Sequence, residues 1–318
     1  MRWQLPLHVH GIGRSDWSIA AATLFFAVAL WLPPVALQRP TVSYLVTFDV
    51  TQSMDVEDVF RAGKPQPISR LAAARAAMRD LLPQLPCGSR LGWAIFADYR
   101  SLPLVLPVEV CSHYDELLAS LERIDGGMRW ANASNVGKGA TWAVRTARAV
   151  GETTRVIFFT DGHESPPLRT NESPPLDDIT SGEVGGWLIG VGGDMPQRIP
   201  KTTRDGLPIG YWTADEVVQR TDLPPGQSRE HLSNLREDHL KKVARQVGFG
   251  YRRLTTSHTL AEAMLDPTLA QSRPTATDMR WAPAALALAL LLWRFAPALP
   301  RRTSVKRKLT TSKNAAVR

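Results

Sequence analysis

A short β-branched and aromatic run at residues 42–48 (VSYLVTF) ends on a carboxylate, and Asp49, Thr51 and Ser53 follow in a D-x-T-x-S pattern. The run is short and reads as a buried strand. The chain is thereby directed toward an α/β sheet whose ligand-bearing loops lie at the carboxyl ends of its strands. One carboxylate and two hydroxyls are hard oxygen donors, suited to Mg²⁺, Ca²⁺ or Mn²⁺ and not to zinc or copper. The triplet alone is weak, because Asp, Ser and Thr also populate turns and helix caps. Two distant segments strengthen it. Ser134-Asn135-Val136-Gly137 opens a helical stretch, and Asp161-Gly162 follows a second apolar strand at 155–160 (RVIFFT).

Periodicity supplies the remaining elements. Residues 68–82 have apolar positions at helical spacing with Arg on the other face, and Pro83 stops the run. Residues 91–96 and 102–108 are two strands too close for a parallel crossover, so they predict an antiparallel hairpin. Helices are expected at 114–124, 136–150, 235–247 and 260–269, and strands at 187–191 and 251–254. Segments 164–184 and 194–233 are long loops, of the kind that is usually functional or mobile. Asp205-Gly206 in the second predicts a small hairpin.

Three oxygen-bearing loops arranged this way resemble the metal-ion-dependent adhesion site (MIDAS) of the von Willebrand factor A (VWA) domain, over residues 41–272. The resemblance implies a Rossmann-like, mostly parallel central sheet with one antiparallel edge strand. It carries the metal ligands onto Asp49, Thr51, Ser53, Ser134 and Asp161, with Thr51 standing where Ser is usual and Ser134 where Thr is usual. Both exchanges keep a hydroxyl. It further implies a divalent cation (Mg²⁺ or Ca²⁺, or Mn²⁺) with one open position for a partner's carboxylate. The acids Asp55, Glu57 and Asp58, with His163, then lie on the partner-binding face; a solvated loop is the other reading of those acids.

The ends of the chain predict a compartment. Residues 17–38 carry no charge, enough for a transmembrane anchor, with a cleaved signal peptide as the competing reading. Residues 279–299 are a second candidate transmembrane helix, interrupted by Arg294, and a merely buried or amphipathic helix is its rival. Nine of the 38 Lys and Arg lie from Arg280 onward, and the segment between residues 40 and 279 holds 26 basic against 29 acidic residues. The net charge of +8 therefore belongs to the tail, and nucleic-acid binding by the domain is excluded. A basic tail at 300–318 beyond a span marks the cytoplasmic side, as does an N-terminus at 1–16, which places the domain in the periplasm of a bacterial inner membrane. Cys87 and Cys111 flank the predicted hairpin, where a disulfide closes its open end in an oxidising compartment; free buried thiols are the alternative.

Catalysis is the less favoured alternative, as a metal-assisted hydrolase with His163 as base. His163 and Glu164 are adjacent in a strand-end turn and point apart, and neither Ser53 nor Ser134 has an evident His and Asp to activate it. Protein binding is the expected role. Within the family, the start Asp49-Val50-Thr51-Gln52-Ser53-Met54 and the membrane-tethered layout resemble the MxaL-type proteins of methanol-oxidation gene clusters. That resemblance implies maturation of periplasmic methanol dehydrogenase at its calcium insertion step. It also implies other membrane proteins of the cluster and a MoxR-type AAA+ ATPase as partners. A Bat-type membrane scaffold or adhesion protein with another client is the alternative.

Overall fold

The 42–48 run forms the centre of the sheet. The computed structural model describes residues 14–61, 63, 65–169, 178–203, 206–224 and 226–295. The central elements in chain order are β1 (Ser43–Asp49), α1 (Arg70–Leu81), β2 (Arg90–Ala97), β3 (Arg100–Glu109), α2 (Tyr114–Glu122) and α3 (Val136–Val150). They continue as β4 (Arg155–Thr160), β5 (Gly186–Gly190), α4 (Glu237–Val247), β6 (Gly250–Arg253) and α5 (Ser257–Met264). The strands lie in the order β3-β2-β1-β4-β5-β6. All pairs are parallel except β2 with β3. This is the mostly parallel α/β sheet with one antiparallel edge strand that the sequence led us to expect.

Burial explains why β1 is central. All seven of its residues are buried, because helices cover both faces of the sheet. One apolar layer joins Tyr44, Val46, Phe48, Trp93 and Phe159 to residues of α1, α2 and α5. The other joins Phe96, Val156 and Phe158 to α3 and α4. Phe48 stacks on Phe159 at 5.3 Å between ring centroids, and Phe96 meets Phe158 edge-on at 5.2 Å. Each such side chain contributes about 1.5–3 kcal/mol by burial. Strand order reverses between β1 and β4, and sheets of this class leave a crevice outside the carboxyl ends at that reversal. Asp49 ends β1 there, and Asp161 directly follows β4.

The β2–β3 hairpin pairs Arg90 with Glu109, which brings the flanking Cys87 and Cys111 together in a disulfide with Cα atoms 5.3 Å apart. Loop-closure entropy over that separation gives roughly 3 kcal/mol of stabilisation. In the 194–233 segment, Pro200–Thr202 pairs with Pro208–Tyr211 as the expected small hairpin, with Asp205 itself outside the described residues. Gln197–Arg198 pairs with Leu232–Ser233, so both ends of this insertion are tied together.

The expected spans need correction. The first helix covers Arg14–Trp31 and ends just before Pro33-Pro34, where proline denies the backbone donors and φ/ψ values a helix needs. The chain then continues as strand Val35–Thr41, paired with Gln271–Thr277. Residues 17–38 are thus not one helix. The second helix covers Trp281–Phe295, and positions 296–299, the tail at 300–318 and the first 13 residues lie outside the described residues. No helix among the described residues is long and apolar enough to cross a membrane. Two compact units result: Leu37–Thr275, which holds the sheet, and the two ends of the chain. In the latter, the two helices pack on each other with Ala22, Ala29 and Ala287 buried, while Leu30, Trp31, Leu292 and Trp293 are exposed.

Candidate metal centre

The D-x-T-x-S loop folds back on its own carboxylate. Asp49 Oδ1 accepts from the Thr51 N–H at 2.9 Å and from Thr51 Oγ1 at 2.7 Å. Thr160, the last residue of β4, donates to Oδ2 at 2.7 Å. Thr51 Oγ1 lies 3.2 Å from Ser53 Oγ, and Ser53 donates to Asp161 Oδ1 at 3.1 Å. Two hydroxyls thus stand side by side between the carboxylates across the strand reversal, each donating to its own. Both are fully buried. Burial, reinforced by the negative charge of Asp161, pushes Asp49 up to about 7 against the hydrogen bonds from Thr51 and Thr160.

Asp161 has the opposite fate. Burial would raise it as well, but the Arg70 guanidinium, helped by the His163 N–H and Ser233, holds it below the usual carboxylate range. Arg70 Nη1 donates to Asp161 Oδ2 at 2.5 Å, to Ser233 Oγ at 2.7 Å and to the Ser53 carbonyl at 3.2 Å. Its Nε and Nη2 fork onto Asp58 at 3.0 and 2.6 Å. Arg70 is the first residue of α1 and fully buried, which corrects the expectation that the arginines of this helix face away from the apolar side. Gly192 makes the room: a Cβ there would stand 2.7 Å from Arg70 Nε, and its φ of +132° suits glycine alone. Gly162, at φ +78°, seats the Asp161 turn against α4, where a Cβ would meet Leu240 at 2.8 Å.

Ser134 is delivered by a different device. Its N–H donates to the Ser165 carbonyl at 2.7 Å, and the neighbouring Asn135 N–H reaches the Asp98 carbonyl at the β2–β3 turn. Asn135 then caps α3 through Lys138. Ser134 Oγ is buried and has no hydrogen-bond partner. It lines one cavity of about 280 Å³ together with Thr51, Ser53 and His163.

The proposed partner-facing acids separate. Asp58 is turned inward on Arg70, 7% exposed in its side chain, and so is committed to the fold. Asp55 is half-buried beside Arg129 at 3.3 Å; burial lifts it to about 6 against the pull of that guanidinium. Glu57 is exposed. His163 is buried, with burial lowering its pKa to about 4 against the charge of Asp161. Glu164 points elsewhere, accepting from the Val136 N–H at 3.1 Å and lying 2.8 Å from His239 Nε2. His239, half-buried on α4, is thereby the partner of a buried carboxylate.

The donors fit a divalent ion. Asp58 and Asp161 share the single Arg70 guanidinium while Asp49 meets only hydroxyls and one N–H, leaving two negative charges in excess when all three are ionised, and Ser134 Oγ lacks a partner. Among the described residues no group of three or more His, Cys, Asp or Glu is set to hold a metal. An ion here would depend on Asp49, Asp161 and the hydroxyls of Thr51, Ser53 and Ser134, a donor set for Mg²⁺ or Ca²⁺ completed by water. Arg70, Thr160 and Ser233 were missed by sequence reasoning. An arginine in the first turn of a helix, where the dipole disfavours a cation, was the one local signal for Arg70.

No family model and no curated protein matches the chain. Solved structures do. An aerotolerance-related membrane protein from Bacteroides fragilis carrying multiple mutations to serine is 17% identical, with 71% of this chain and 98% of that one covered and a TM-score of 0.46. The conserved hypothetical protein BatB from Bacteroides thetaiotaomicron is 18% identical over 71% and 97%, with a TM-score of 0.47. A von Willebrand factor type A structure from Catenulispora acidiphila is 13% identical over 81% and 46%, with a TM-score of 0.39.

Proposed function

We propose that this chain is a VWA-type binding protein that holds one divalent cation on Asp49, Thr51, Ser53, Ser134 and Asp161 and uses it to grip an acidic side chain of a partner protein. The observation that carries the reading is the row of close oxygens from Asp49 through Thr51 and Ser53 to Asp161, beside a buried Ser134 Oγ without a partner. The ion supplies charge neutralisation and an open position for a carboxylate. The chain's own part is to hold five oxygens in place with Thr160, Ser233 and Arg70. In a partly dried cleft such a contact is stronger than an exposed salt bridge.

The exposed apolar side chains of the helices Arg14–Trp31 and Trp281–Phe295 support association with a membrane. The disulfide supports an oxidising compartment, here the periplasmic side of a bacterial inner membrane. The client proposed from the Asp49–Met54 resemblance is methanol dehydrogenase, at its calcium insertion step, with a Bat-type scaffold serving another client as the alternative. The acidic-group reading is tested by electron paramagnetic resonance on the full chain in detergent loaded with Mn²⁺. One bound ion per chain is expected, with a spectrum that changes on adding an Asp-containing peptide and not on adding its Asn twin. An unchanged spectrum with both peptides contradicts it.

A further inference from the structure

The 194–233 insertion does more than deliver Ser233. Ile199, Trp212, Val217 and Val218 wall the cavity whose floor carries Ser53, Ser134 and His163. The two acids of the wall already have cations: Glu216 pairs with Lys201, and Glu230 with Arg236 at 3.2 Å. An apolar, electrically neutral wall therefore stands over a polar floor. Two floor atoms, Ser134 Oγ and His163 Nδ1, have no partner although their residues are only 2% and 4% exposed. The His163 ring hydrogen-bonds the backbone of Glu230. With Nδ1 unpartnered, that bond falls to Nε2, which carries the proton, and Nδ1 presents an acceptor lone pair. A cation held by hard oxygens accounts for Ser134. It leaves the imidazole lone pair for an N–H donor, such as a peptide group.

We infer that the cavity takes an extended segment of a partner protein in which an Asp or Glu is followed, two residues on, by a branched aliphatic residue. In an extended segment those two side chains point to the same side, roughly 6–7 Å apart. The carboxylate goes to the cation face, the aliphatic chain lies against Ile199, Trp212, Val217 and Val218, and an intervening N–H donates to His163 Nδ1. The volume of about 280 Å³ sits at the lower edge of small-molecule sites, which suits two side chains better than a cofactor. This inference rests on the cation reading above and adds which residue accompanies the acid.

The test uses the full chain in detergent, first titrated with Mg²⁺ alone by calorimetry, then with two fluorescein-labelled peptides, Gly-Asp-Gly-Leu-Gly and Gly-Asp-Gly-Gly-Gly, by anisotropy. Burial of one leucine predicts about tenfold or greater preference for the first peptide. The double variant Val217→Ser/Val218→Ser should lose that preference while keeping the Mg²⁺ isotherm and the affinity for the all-glycine twin. Equal affinities, or a preference that survives in the double variant, each in protein that takes up Mg²⁺, would overturn the inference alone. No binding of either peptide to protein that takes up Mg²⁺ would overturn the grip on an acidic side chain, and the inference with it. Failure to take up Mg²⁺ would overturn the cation reading, and the inference with it, before any peptide is added.

Discussion

Asp49 and Asp161 are the same residue type at neighbouring strand ends, both fully buried, yet the protein treats them in opposite ways. Asp161 has a guanidinium at 2.5 Å, whereas Asp49 has only hydroxyls and one backbone N–H. An uncompensated buried carboxylate is expensive to ionise, and a compensated one is expensive to strip of its partner. The difference teaches which half of the site is finished by the fold and which half the proposed cation would complete. Arg70 neutralises Asp161 and Asp58; among the described residues no cation pairs with Asp49.

The sharpest way to break this contrast is Arg70→Met. It leaves Asp161 and Asp58 buried without a cation, and urea unfolding should show a loss of about 3–5 kcal/mol. A loss below about 1 kcal/mol would mean that Arg70 is incidental. The next effect separates the two carboxylates directly in metal-free protein. Asp161→Asn gives up a charge-assisted network and should cost about 1.5–3 kcal/mol. Asp49→Asn removes an uncompensated charge and should be neutral or stabilising. Equal destabilisation by both would erase the distinction.

The smallest effect comes from a carboxylate outside the site. Burial would raise Glu109, but the N–H groups of Gly88 and Ser112, both at 2.6 Å, hold it below the usual carboxylate range. A depressed carboxylate contributes stability above its unfolded pKa and loses it as pH falls through the folded one. The acid limb of the wild-type stability curve below about pH 4.3 should therefore be steeper than that of Glu109→Gln, by a modest amount, because the group is mostly exposed. Parallel limbs would show that the loop joining the cysteines gains nothing from it.

The legibility of the two halves follows the same line. Asp49, Thr51 and Ser53 are readable because they act on one another within a single turn, directly after a strand whose apolar run announces itself. Asp161 is readable for the same reason at the end of β4, and the Cys87–Cys111 pair follows from hairpin register. Arg70 and Ser233 act across 91 and 72 positions of chain, and no local pattern registers a bond of that span. Helical periodicity assigned Arg70 to the outer face because it weighs polarity and cannot weigh a buried carboxylate waiting for it. The charge-free stretch at 17–38 misled for a related reason: hydropathy passed smoothly over Pro33-Pro34, where the backbone changes from helix to strand.

The central claim is that Asp49 waits for a cation. Calorimetric titration of the full chain with Mg²⁺ and with Ca²⁺, run in parallel on wild type and Asp49→Ala, tests it most directly. One site per chain is expected in the wild type, with no uptake in the variant while its circular dichroism stays unchanged. Undiminished ion affinity in a folded Asp49→Ala protein would contradict the account.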